Sequence, residues 1–122
     1  MSAGGQQPDA AAMGGLLQLA GDEAVLPAGS RLCDEERPGR QCFVLLEGAA
    51  SVQQNGCTLR TLSDGAFVGQ VGADGRPLPP AGVTVRLDIR SRVLVLDPAR
   101  LAALLDGEPR LTGAWQNLIA EL

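Results

Sequence analysis

Phe67-Val68-Gly69-Gln70-Val71-Gly72 is a stretch whose main chain, more than its side chains, could do chemistry. Its glycines leave backbone N–H groups open to a neighbour. A run of such groups, at a turn or at the start of a helix, attracts an anion. The carboxamide of Gln70 could meet a hydroxyl. Arg76 follows six residues later and is the one cation between Phe67 and Val85. Pro80-Ala81-Gly82-Val83-Thr84-Val85 then offers a second turn and a hydroxyl. Together these residues could cradle a small anion. Tight turns in which glycine supplies a positive φ explain the same stretch without a ligand, and the sequence alone favours neither explanation. For Arg76 the plainer reading, a solvated side chain beside Asp74, is preferred.

Other chemistries are excluded more firmly. The 122 residues contain no His. A Ser-His-Asp or Cys-His nucleophile system cannot be built within the chain, nor can a His-ligated metal site. Cys33, Cys42 and Cys57 form no Cys-x-x-Cys pair, so the usual zinc sets are missing too. Cys42 lies in an apolar run and reads as a small core residue. Asp34-Glu35-Glu36 reads as a solvated hairpin tip, because the ligand spacing of a calcium loop is absent. No acid sits in a run apolar enough to raise its pKa. No enzyme is expected. Net charge is −4, and the ten basic residues, all Arg, are dispersed. That argues against nucleic acid and against an anionic membrane surface as partners. With no signal-peptide pattern and few cysteines, a cytoplasmic location is the simplest expectation.

The elements that must position these residues are short. Residues 1–15 are rich in Gly, Ala and Gln and read as a flexible leader. A short helix is expected from about Asp9 to Leu19. From Asp22 onward, apolar runs alternate with turn signals: Glu23–Leu26, Arg31–Cys33, Gln41–Leu46, Ala49–Gln53, Thr58–Leu62, Val83–Leu87 and Val93–Leu96. Asn55-Gly56 is a strong two-residue hairpin signal. Seven or eight strands at this spacing indicate a sandwich or barrel. Asp97-Pro98 then starts a helix that Gly107 stops. Pro109 starts another, with Leu111, Trp115, Leu118 and Leu122 on one face. Trp115 is expected to pack against the outer wall of the barrel, although in this position it could also cap a ligand.

Several segments stand together in an order that resembles the cyclic-nucleotide-binding domain of bacterial catabolite activators and of the protein kinase A regulatory subunit. They are Leu26-Pro27-Ala28-Gly29, Glu36-Arg37-Pro38-Gly39, Phe43–Gly48, Leu62–Gln70, and Val93–Leu105. The resemblance implies a mainly β fold over residues 16–122, a double-stranded β-helix (jelly-roll) barrel flanked by short N- and C-terminal helices. It implies a ligand site at Phe67, Gly69, Gln70, Val71, Gly72, Arg76, Ala81, Gly82, Thr84 and Trp115. It also implies a regulatory module without a cofactor. Such a module senses cyclic AMP, cyclic GMP or a related small anion and signals through its C-terminal helices to a protein partner or effector domain, and it can form a homodimer. Two positions depart from the family pattern. Gln70 stands where the family has Glu, and Ala81 stands where it has the phosphate-binding Arg. Hydrogen bonds to charged groups are worth about 1.5–3 kcal/mol each. Losing two would remove about two to four decades of affinity. The alternative expectation is therefore a ligand-free structural or protein-interaction module of the same fold.

Overall fold

The computed structural model describes residues 18, 21–37 and 39–119. The leader and, apart from Gln18, the expected N-terminal helix lie outside the described residues.

β3, Cys42–Glu47, explains the architecture. Its apolar run lacks the polar alternation of a half-exposed strand, so it must be covered on both faces. β3 lies inside a four-stranded antiparallel sheet with β1 (Gly21–Leu26), β10 (Ser91–Leu96) and β6 (Phe67–Val68), in the order β1-β10-β3-β6. A second antiparallel sheet runs β2-β9-β4-β5, from Arg31–Cys33, Thr84–Leu87, Ala50–Gln54 and Cys57–Leu62. Phe43 and Leu45 pack between the sheets against Val52, Val85, Leu87 and Val93. Cys42, Val44 and Leu46 point the other way, into a cluster with Phe67, Leu94, Leu96, Leu101 and Trp115. That second face is covered by two helices, α1 (Pro98–Gly107) and α2 (Pro109–Ile119).

The jelly-roll-type β sandwich and the two C-terminal helices agree with the expectation. Asn55 (φ 52°) and Gly56 (φ 79°) close the β4–β5 hairpin. The Asp97 carboxylate accepts from the N–H groups of Ala99 (3.0 Å) and Arg100 (3.4 Å), capping α1. Such a cap is worth about 1 kcal/mol. The strand count differs: there are ten among the described residues, because residues 67–78 add three two-residue pieces, β6, β7 (Gln70–Val71) and β8 (Pro77–Leu78). β7 and β8 pair only with each other, as a small hairpin outside both sheets. Among the described residues no helix is long and apolar enough to cross a membrane.

Candidate ligand site

Phe67 and Val68 belong to the first sheet, but the chain leaves it at Gly69. A Cβ at Gly69 would stand 2.7 Å from the Phe67 ring and 2.8 Å from the Leu78 carbonyl oxygen, so only glycine permits this close turn. Gln70–Val71 then pair with Pro77–Leu78, and the tip bonds to itself. The Gly72 N–H donates to the Arg76 carbonyl (2.8 Å), and the Gly75 N–H donates to the Gly72 carbonyl (2.9 Å). The Arg76 N–H donates to the Asp74 carboxylate (3.0 Å). Of the backbone donors expected to face an anion, that of Gly72 is thus spent within the hairpin.

The hairpin is docked on the helices rather than turned into the sandwich. Trp115 Nε1–H donates to the Gly75 carbonyl (3.0 Å). The Trp115 ring meets Phe67 edge to face, with centroids 4.9 Å apart. The Arg76 guanidinium reaches both carboxylate oxygens of Asp106 at 3.0 Å and lies 3.6 Å from Asp74. The Cys42 thiol donates to the Leu78 carbonyl (3.2 Å), tying the hairpin to the sheet.

Between the sheets there remains a cavity of about 40 Å³, bounded by residues that include Val52, Arg60, Phe67, Gly69, Pro80 and Val85. Of the residues expected at a site, Phe67 and Gly69 line it. Gln70, Val71, Gly72 and Arg76 leave on the hairpin, and Trp115 sits on the far face of the first sheet. Ala81 and Gly82 are exposed. The Gly82 carbonyl accepts from Gln54 (3.0 Å). Thr84 is buried, but its hydroxyl accepts from the Glu35 N–H (3.1 Å), on the side of the acidic turn. The structure therefore brings two of the ten expected residues to one cavity and distributes the others.

Arg60 is the lining residue the sequence reading missed. A register shift between Val52 and Gln53 interrupts the β4–β5 pairing, leaving Arg60 opposite Val52 and Leu59 out in solvent, 56% exposed. The signal was present, since Leu59-Arg60 inverts the inward–outward order that Thr58 and Leu62 suggest, but its sense depends on a bulge.

Three further titratable groups, Asp34, Cys33 and Cys42, are shifted by their surroundings. The Asp34 carboxyl is held below its usual range chiefly by the Glu36 N–H (2.9 Å), with Arg31 adding (3.1 Å). The acidic stretch forms the turn closed by the Asp34–Arg37 bridge, as expected of a hairpin tip. Among the described residues no three Cys, Asp or Glu gather to hold a metal ion. Burial raises the pKa of the Cys33 thiol. Burial, with the charge of Asp97 adding, pushes that of Cys42 up to about 12.

Comparison with known proteins supplies a frame for this geometry. A family model described as the cyclic nucleotide-binding domain matches residues 23–108. No curated protein matches the chain in sequence. Among solved structures, the chain is similar to the N-terminal domain of a Streptomyces coelicolor transcriptional regulator, at 20% identity and TM-score 0.65, covering 89% of this chain and 80% of that one. A cyclic nucleotide-binding domain from Methylobacillus flagellatus is 22% identical, with TM-score 0.64, covering 81% of this chain and 57% of that one. The Thermus thermophilus catabolite activator protein is 17% identical, with TM-score 0.65, covering 87% of this chain and 51% of that one. The chain thus spans little more than half the length of the latter two. At these identities the likeness is one of fold.

Proposed function

Because the chain belongs to the cyclic nucleotide-binding domain family, we propose that it is a non-catalytic regulatory module that works without a bound nucleotide and presents its two C-terminal helices to a protein partner. The observation that carries this reading is the cavity of about 40 Å³ at the inner face of the segment that begins at Phe67. Pockets that bury a small molecule run to roughly 300–1,000 Å³. A space that admits only water is too little for a nucleoside phosphate.

The chemistry supports the same reading. The Gly72 and Gly75 N–H groups are already paired. The Ala81 side chain has no donor to offer a phosphate, and Arg76 is engaged with two carboxylates. A nucleotide would first have to peel the hairpin from Trp115 and Asp106, and that cost would be deducted from its affinity. The helices are held in place by the protein itself, as a ligand would otherwise hold them.

The test follows Trp115, the only tryptophan, whose indole binds the hairpin. Its fluorescence should stay unchanged on titration with cyclic AMP or cyclic GMP to millimolar concentration. A saturable change at micromolar nucleotide would reject the proposal in favour of a nucleotide sensor. One observation favours that second reading: Arg60 stands at the rim of the cavity and could meet a phosphate there. Under the sensor reading Arg60→Ala removes the change; under ours there is no change to remove.

A further inference from the structure

The edge of a sheet is a row of main-chain N–H and C=O groups without partners. Among the described residues the two four-stranded sheets have four edges, and three of them are blunted. β6 has two residues and β2 has three. β1 carries Asp22 and Glu23. The fourth edge, β5, is six residues long, Cys-Thr-Leu-Arg-Thr-Leu, with no acid and no proline. It pairs with β4 on one side and with no described strand on the other. Its first five residues are exposed, and Leu59, at 56%, is the most exposed large apolar side chain among the described residues.

The phase of the ladder fixes which groups of β5 face out. A two-residue hairpin closes on a pair of residues that bond each other, here Gln54 and Cys57. In the next pair, Gln53 and Thr58, the Thr58 N–H and C=O therefore turn away from β4. The bulge at Leu59 sets Thr61 opposite Ser51, two residues from Gln53, so Thr61 has the same phase as Thr58. Thr58 and Thr61 thus each present one donor and one acceptor to solvent. Laid antiparallel against a second β5, with the twofold axis between Leu59 and Arg60, the strand sets Thr58 of each copy opposite Thr61 of the other. Each such pair exchanges two main-chain hydrogen bonds, and the threonine side chains meet as well. The two bulges lie side by side at the axis, so the ladder stays in phase. A strand edge is completed only by another strand with free groups. β5 is the one unguarded sheet edge among the described residues, so the strand a second copy supplies is β5 again, and the contact closes at two copies.

We propose that β5 of one copy pairs antiparallel with β5 of another, joining two four-stranded sheets into one continuous sheet. Two six-residue strands bury less than the roughly 1,200 Å² of a stable interface, so the dimer is reversible. The two Arg60 residues flank the axis as like charges, so added salt tightens the dimer. The contact is made by the main chain of Thr58 and Thr61, away from the helices, so the proposal stands whether or not a nucleotide binds.

Sedimentation of the 12.6 kDa chain from micromolar to millimolar concentration should show mass rising toward the dimer, more so in high salt. Leu59→Lys adds like charge at the axis and should weaken association about tenfold or more. Leu59→Glu sets an acid opposite Arg60 of the other copy and should tighten association severalfold, an effect that molar salt removes. Both side chains replace an exposed leucine, so circular dichroism should not change. A contact that was merely apolar would be weakened by both variants. Thr58→Pro removes an outward N–H that β4 does not use, and should abolish the dimer in a chain that still folds. If that variant unfolds, the opposite signs of the two Leu59 variants decide. A chain that stays monomeric at every concentration, a Leu59→Glu variant as weak as Leu59→Lys, or a folded Thr58→Pro variant that still dimerises overturns the proposal and leaves the edge to an extended peptide of another protein.

Discussion

Replacing Gly69 by alanine adds one methyl group at the point where the chain turns from the sheet into the hairpin. That methyl carbon would lie 2.7 Å from Phe67 Cζ, 2.8 Å from the Leu78 oxygen and 3.0 Å from Phe67 Cε2. Neither neighbour can yield easily. Phe67 is 2% exposed and wedged against Trp115. The Leu78 oxygen belongs to backbone that already accepts from the Cys42 thiol. Overpacking of this kind costs about 1–3 kcal/mol, a large part of the roughly 5–15 kcal/mol that holds a domain together. With a urea dependence of about 1–3 kcal/mol per molar, the midpoint should fall by the order of 1 M. Gly107→Ala is the control: nothing lies within 4 Å of its added methyl, and the site ends α1, so stability should hold or rise. Urea unfolding followed by Trp115 fluorescence and far-ultraviolet circular dichroism reads both. A Gly69→Ala midpoint indistinguishable from the parent would mean that the hairpin is not packed against Phe67, and the argument for so small a cavity would fall with it.

Trp115→Phe keeps a ring against Phe67 but leaves the Gly75 carbonyl without its donor, at a cost of about 1–3 kcal/mol; amide exchange should quicken in the 70–78 hairpin, and unchanged exchange there would refute the latch. Asp106→Asn breaks an exposed pair, so its cost should be below about 1 kcal/mol and should vanish in molar salt; a larger loss in urea titrations would show that the pair does more than the geometry allows. In native protein Cys57 alone should react with a thiol reagent at mildly alkaline pH, because Cys33 and Cys42 are buried, and mass spectrometry after labelling counts the adducts. The raised Cys42 pKa also sets a sign. Between the ordinary thiol value of 9.0 and about 12 the unfolded chain loses a proton that the folded chain keeps, so stability falls as pH rises through that window. Stability profiles of the parent and Cys42→Ala should differ in that slope.

Most of the scaffold was legible because its signals are local. The run from Cys42 to Leu46, the Asn55-Gly56 turn and the Asp97-Pro98 helix start each dictate backbone geometry through neighbours in sequence. The stretch from Gly69 to Val83 was not legible in this way. Pro77, Pro79 and Pro80 argue against strand, yet Pro77 takes part in a two-residue pairing because α1, α2 and Cys42 hold the hairpin from outside. Tertiary contact, not propensity, places it. Arg60 faces the cavity beside a one-residue bulge at Leu59, and alternation cannot report a bulge; Thr84 simply alternates with inward-facing Val85 and Leu87 and so meets the Glu35 turn. The substitutions at Gln70 and Ala81 were plain in the sequence. That the Gly72 and Gly75 N–H groups donate to carbonyls of the same hairpin emerged only from the fold.

Calorimetric titration of the full chain with cyclic AMP and with cyclic GMP, carried to millimolar nucleotide, bears most directly on the central claim. Self-closure of the nucleotide place predicts heats of dilution only. A saturable heat with a micromolar dissociation constant would contradict it.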